Sequence, residues 1–215
     1  MNEPTITGPK ILAVVAHPDR QSLTWKITEH VGSAITEAGG RFSTLDLYAD
    51  DFSPAYDNVD RQHFREAKGL PGDVVAHQAL IDEADALAVI FPVFWWSMPG
   101  VLKGWFDRVF ARDWAYDIAE DGSDRGRLGD RSMHSIAIAG AGKGVYERHG
   151  YRDALHAQLT HGIFEYCGVR DPGSHLIFGS EDPAKIDEHL AQAGRIGREL
   201  VTAANLNRIA AAVPA

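Results

Sequence analysis

Lys10-Ile11-Leu12-Ala13-Val14-Val15-Ala16 and Asp85-Ala86-Leu87-Ala88-Val89-Ile90-Phe91 are short apolar runs without alternation. Successive side chains of a strand point to opposite faces, so a strand that is apolar at every position must be covered on both sides. That requirement excludes a half-exposed meander and asks for helices on both faces of a parallel sheet. The intervening sequence supplies them. Ser22 is placed to cap a helix carrying Ile27, Val31 and Ile35, which Gly39-Gly40 stops. Arg41 to Tyr48 reads as a second strand. Asp50 to Gly72 reads as a long polar loop with a short helix from Arg61 to Lys68, and Val74 to Glu83 as a further helix.

The third strand stops at Pro92, and Pro99 opens a helix through Phe110. Asp113 to Asp130 is a polar excursion, and Ser132 to Gly140 is the fourth strand. Arg152 to Tyr166 is expected as a helix with Leu155, Leu159 and Ile163 on one face, before a fifth strand from Ser174 to Phe178. Asp182-Pro183 starts a last helix with Ile186, Leu190 and Leu200 inward, and the end of the chain, 205–215, reads as frayed. Five strands alternating with helices predict one doubly wound α/β domain over 1–215, with its ligand site beyond the carboxyl ends of the strands.

Charge and cysteine usage narrow the function classes. The chain of 215 residues carries 21 Lys and Arg against 30 Asp and Glu, a net charge of −9 with no basic stripe, which argues against a nucleic-acid binder. Its one cysteine, Cys167, forms no internal disulfide and reads as a small buried residue. No run approaches the ~18–20 apolar residues of a membrane span, and the first residues lack the pattern of a secretory signal, so a cytoplasmic protein is expected. The histidines lack metal-site spacing and no serine triad is evident, so no metal is expected.

Three loops at strand ends hold the chemistry. His17 to Thr24 has neither the dinucleotide nor the P-loop pattern, but it offers hydroxyls and helix N-terminal amides that accept a phosphate; a plain N-cap explains it equally well. Phe91-Pro92-Val93-Phe94-Trp95-Trp96-Ser97-Met98-Pro99-Gly100 packs three aromatics between prolines. It is either a wall for a flat heterocycle, or a core plug or subunit contact. Gly140 to Tyr151 reads as a glycine-rich loop that lets a ligand approach and presents Tyr146, His149 and Tyr151 to an oxygen gaining negative charge, or as a turn with incidental polar tips.

Together these loops resemble the NAD(P)H quinone reductase family of the flavodoxin-like fold, from Lys10 to about Phe178. The most specific stretch runs from Phe91 through Leu102-Lys103-Gly104-Trp105-Phe106-Asp107-Arg108-Val109-Phe110, supported by Ala16-His17-Pro18 with Ser22 and by the glycine loop reaching Tyr146. The resemblance implies sheet order 2-1-3-4-5 and a noncovalent FAD, with FMN as the alternative, reduced by NADH or NADPH. It implies ping-pong transfer of two electrons to quinones or similar flat electrophiles.

By position, His17, Gln21, Ser22, Leu23 and Thr24 would cradle the flavin phosphate, Pro92, Val93, Phe94, Trp95 and Trp96 would border the ring, and Gly140, Ala141, Gly142 and Tyr146 would close its other edge. Tyr146 takes the place of the family's catalytic Tyr, and His149, or Tyr151 in its stead, that of its His. Trp96, Tyr116 and Tyr151 would face substrate, Tyr116 across a homodimer interface. Lys103 and Arg108 would pair structurally, with Trp105 and Phe106 in the core. Relatives of the family also imply a second role, as an ancillary flavoprotein subunit of a membrane ion-efflux system; a flavodoxin-type electron shuttle is a third.

Overall fold

The computed structural model describes residues 8–119 and 123–212. In chain order its strands are β1 (Lys10–Val15), β2 (Arg41–Asp46), β3 (Ala86–Pro92), β4 (Tyr116–Ile118), β5 (Asp124–Gly126), β6 (Ser132–Ala139) and β7 (Gly173–Phe178). Five of them form a parallel sheet, β2-β1-β3-β6-β7, which is the expected 2-1-3-4-5 order when the small antiparallel pair β4-β5 is set aside. The helices are α1 (Leu23–Glu37), α2 (Asn58–Glu66), α3 (Gly72–Asp82), α4 (Gly100–Val109), α5 (Lys143–His149), α6 (Tyr151–Leu155) and α7 (Ile186–Ala212). A π-helix, His156–Glu165, continues α6, and a 3₁₀ turn, Pro183–Lys185, precedes α7.

The unbroken apolar runs are explained by two separate cores. Leu12, Val14, Leu87, Val89 and Phe91 face one layer with Ile81, Leu102, Trp105, Phe106 and Phe164. Ile11, Ala13, Val15, Ala86, Ala88 and Ile90 face the other, against Ile27, Val31 and Ile35 of α1 and Ala193, Ile196 and Leu200 of α7. Neighbouring residues of one strand thus belong to different cores, and neither face is left for water.

Several elements differ from the sequence reading. The second strand ends at Asp46, where the carboxylate accepts the amides of Tyr48 and Ala49 and turns the chain. α2 starts ahead of Arg61, because Asp57 and Asp60 build a capping box, and it ends at Glu66. The polar excursion holds β4-β5. Lys143–His149 is a helix where a loop was expected, with Gly142 at its start and Gly150 at φ 69 closing it. The helix expected from Arg152 begins at Tyr151 and widens to π at His156, so Leu155, Leu159 and Phe164 are buried while Ile163 is half-buried. In α7 the inward face is His189, Ala193, Ile196, Leu200 and Ala204, with Ile186 and Leu190 half-buried. That helix continues through Ala212 instead of fraying, and 213–215 lie outside the described residues.

The signature helix α4 is tied into the fold by its charges. Lys103 pairs with Asp107 one turn on at 2.5 Å. Arg108, 5% exposed, donates to Asp60 at 3.0 Å, to the Ser53 carbonyl at 2.8 Å and to both oxygens of Asp73 at 2.6 and 3.2 Å. It therefore joins α2, α3 and the segment between β2 and α2 to α4, rather than capping its own helix. Burial opposes ionisation of Asp73, but the Arg108 hydrogen bonds and charge outweigh it and hold the carboxyl below its ordinary 3.8. Trp105 and Phe106 lie in the core as expected, with the Trp105 indole donating to His77 at 3.0 Å.

Removing one partner of a buried ion pair strands the others, so Arg108→Leu is expected to cost about 3–5 kcal/mol in urea unfolding. Because the Asp73 value is depressed on folding, its stabilisation is present above 3.8 and lost as pH falls through the folded value. The acid limb of stability against pH should accordingly be shallower in Arg108→Leu than in the parent chain.

Candidate functional site

Strand order reverses between β1 and β3, and because the strands are parallel the loops that leave β1, β3 and β6 all open at the sheet's carboxyl edge beside that point. The first is stiffened by its own hydrogen bonds. His17 Nδ1 accepts the Asp19 amide at 3.0 Å, Asp19 Oδ1 accepts the Gln21 amide at 2.8 Å, and the Ser22 amide donates to the Asp19 carbonyl at 3.2 Å. Ser22 caps α1 by accepting the Trp25 amide at 3.4 Å. The Trp25 indole in turn donates to the His17 carbonyl at 3.3 Å. Of the five residues expected at a phosphate, His17 and the Gln21 amide are thus engaged within the loop. Leu23 and Thr24 present the first-turn amides, which have no intrahelical acceptor, and no acidic side chain stands in that turn. Arg20 lies 4.0 Å over the Trp25 ring and pairs with Asp46 at 2.6 Å, fixing the loop's outer edge.

The β3 loop is a tight hairpin. Phe94 and Ser97 exchange both backbone hydrogen bonds, at 2.9 and 3.1 Å, and Trp95 and Trp96 between them have φ of 48° and 63°. Two left-handed residues in a two-residue turn make a type I′ geometry, which ordinarily recruits Asn and Gly. Two tryptophans there store roughly 1–2 kcal/mol each. Trp95 is 93% exposed, so its own packing does not repay that strain. The Val93 amide donates to the Ile138 carbonyl at 2.8 Å and locks the hairpin's entry to β6, with Pro92 ending β3.

The third segment supplies the backing. Tyr151 stacks face to face on Trp96, with ring centroids 3.9 Å apart at 11°, and His149 covers it at 5.4 Å and 29°. Tyr146, 1% exposed, meets Trp96, Tyr151 and Phe178 edge-on at 5.7, 6.0 and 5.1 Å. Burial pushes the Tyr146 phenol up from 10.0, so it holds its proton at neutral pH and can only be a donor to a developing anion. Gly140, Ala141 and Gly142 lead from β6 into α5. A β-carbon at Gly142 would meet nothing within 4 Å, so the space over this backbone is open. The sequence places Trp96 in one loop and Tyr146, His149 and Tyr151 in another; in the fold they form one aromatic group.

Tyr116 stands apart from that group. It packs edge-on against Tyr166 at 5.2 Å, and lines a cavity of about 280 Å³ with Lys103, Phe106, Gln158 and Ile163. Cys167 is on the same wall, 2% exposed, its thiol pushed up to about 12 by burial. Two contacts had no signal in the sequence. Ser97 Oγ donates to Gln158 Oε1 at 2.5 Å across the gap between the hairpin and the π-helix. Arg152 lies 5.7 Å over the Phe178 ring.

An order-reversing parallel sheet with two cores, a helix N-terminus after its first strand and an aromatic hairpin after its third defines a doubly wound ligand-binding class. The sequence matches the Flavodoxin_2 family, described as flavodoxin-like fold, over residues 9–198, and the chain belongs to that family. It is 27% identical over 207 residues to ribosyldihydronicotinamide dehydrogenase [quinone] of Mus musculus, covering 84% of this chain and 88% of the mouse protein. The structure superposes on NAD(P)H:quinone oxidoreductase from Methanothermobacter marburgensis with TM-score 0.81 and 28% identity, covering 90% of this chain and 97% of that one. The general stress protein 14 of Treponema denticola, solved in complex with FMN, aligns with TM-score 0.62 and 26% identity over 91% of this chain and 99% of that one.

Asn tolerates the left-handed region that Trp95 is forced into, and Trp95 contributes little packing. Trp95→Asn is therefore expected to raise stability by about 0.5–1 kcal/mol in chemical unfolding. A loss of stability would show that the exposed indole is held by something other than the turn.

Proposed function

We propose that this chain is a flavin-dependent NAD(P)H oxidoreductase that reduces quinones or similar flat electrophilic acceptors. The observation that carries the reading is that the first-turn amides of α1 and a strained aromatic hairpin stand at the same carboxyl edge of the sheet, beside the strand-order reversal. Strain of that kind persists where the surroundings over-determine it, and it clusters at functional sites. The named relatives, the dehydrogenase of the mouse and the oxidoreductase of M. marburgensis, support the same chemistry.

The residues fit a flavin. Leu23 and Thr24 amides with the Ser22 hydroxyl would hold phosphate, the amides at the tip of the hairpin would address the polar edge of the ring, and the open backbone at Gly142 leaves space at its far side. When bound, the flavin supplies the redox chemistry, accepting a hydride from NAD(P)H and passing two electrons to the acceptor in a separate visit. Tyr146 keeps its proton and donates a hydrogen bond to oxygen as negative charge develops. Tyr151 holds Trp96 flat, and His149 holds Tyr151.

We take FAD as the cofactor with FMN as the alternative, either NADH or NADPH as donor, and a homodimer in which Tyr116 of one copy faces the site of the other. The exposure of Trp95 and Phe94 supports a covering partner. Among the described residues no helix is long and apolar enough to cross a membrane, in keeping with the cytoplasmic location we propose.

Purified protein should be yellow, with a flavin band near ~450 nm that bleaches under NADH or NADPH without oxygen. Chromatography of acid-released cofactor then separates FAD from FMN. Protein that takes up neither overturns the reading. Tyr146→Phe should retain flavin yet slow reduction by NAD(P)H by about 10²-fold in stopped flow. An unchanged rate removes Tyr146 from the chemistry.

A further inference from the structure

We propose that Gln158 is a positioning residue, which sets the pose of the Trp95-Trp96 hairpin by accepting the Ser97 hydroxyl from the π-helix. The inference rests on the flavin reading above and names what holds its aromatic wall in register. A turn with two tryptophans at positive φ does not hold its shape by local preference. Beyond the Phe94-Ser97 backbone pair, its side chains have three described ties: Trp96 edge-on to Tyr146, Trp96 stacked on Tyr151, and Ser97 on Gln158. The Tyr151 and Gln158 ties land on one continuous helical run, Tyr151–Leu155 and His156–Glu165.

The winding of that run matters. Its first tie comes from the start of α6, and the second from the third residue of the π segment, whose wider i to i+5 turn determines where Gln158 faces. Thr160 lies buried in the same segment with its hydroxyl lacking a partner, so the wide turn is not explained by a hydrogen bond of its own side chain. Gln158 also lines the cavity that holds Tyr116 and Tyr166, so it stands between the hairpin and that cavity. Its side-chain oxygen serves Ser97, and its amide hydrogens remain for an acceptor on the open side.

Gln158 is exposed, and a hydrogen bond in water adds little to global stability, so the tie should be felt in cofactor placement instead. The test compares the parent chain with Ser97→Ala, Gln158→Leu, the double variant and Gln158→Glu. Flavin affinity is read by fluorescence titration with FMN and FAD, reduction rates by stopped flow with NADH, and folding by urea midpoints. Each single loss should weaken flavin binding on the order of tenfold, the double variant should be no worse than either, and Gln158→Glu should restore binding because a carboxylate still accepts. Urea midpoints should stay at the parent value.

Parent-level affinity in the single variants, additive losses in the double, failure of the Glu variant to restore binding, or losses that follow a fallen urea midpoint would each overturn the assignment. Failure of the parent chain itself to bind either flavin is a different result. It would remove the proposed function and this inference with it.

Discussion

Burial of β1, β3 and β6 on both faces is the constraint from which the rest of the architecture follows. Alternate residues of these strands feed two different cores, and the polar side chains of β6, Ser132, His134 and Ser135, are themselves buried. Groups that need solvent or a ligand must gather where the strands end. The reversal of order between β1 and β3 then opens the sheet's carboxyl edge between the loop that leads to the capped start of α1 and the loop that forms the hairpin. A slip of one residue in any central strand would exchange its two sets of side chains between the cores and misplace the loop that follows.

Around that edge, rigidity comes from two directions. On one side Arg108 gathers Asp60, Asp73 and the Ser53 carbonyl into a buried polar hub, which fixes α4 behind the hairpin. On the other, Tyr146 wedges edge-on between Trp96, Tyr151 and Phe178, joining α5, α6 and β7. The hairpin between these supports carries the strain, and its most exposed member, Trp95, has no described ring contact. Such an arrangement keeps an aromatic surface available at a cost in stability that the two supports offset.

Much of this was legible in the sequence, and the limits have physical causes. Unbroken apolar runs announced β1 and β3, and the prolines at Pro92 and Pro99 bounded the hairpin, because these signals are local. The helix Lys143–His149 was hidden because Gly142 and Gly144 read as loop, and only the left-handed Gly150 marks its end. The β4-β5 pair is too short and polar for periodicity to show. The signs of φ at Trp95 and Trp96 contradict their residue types, so they follow from the closure by Phe94 and Ser97 rather than from preference. The Ser97-Gln158 tie spans 61 positions, and no pattern in either segment points to the other. Among the expected site residues, Tyr146, His149, Tyr151 and Trp96 come together, whereas Tyr116 packs with Tyr166 on its own chain.

The setting of Cys167 bears on how a chain with the proposed activity would withstand electrophilic acceptors. Quinones add to thiolates, and a sulfur whose proton leaves only at about 12 is ionised in roughly one molecule in 10⁵ at neutral pH. Shielded to within 2% of full burial, the chain's single sulfhydryl is out of reach of arylation even though it borders a cavity. Under the proposed function, reactive rings would pass across the surface without reaching this thiol.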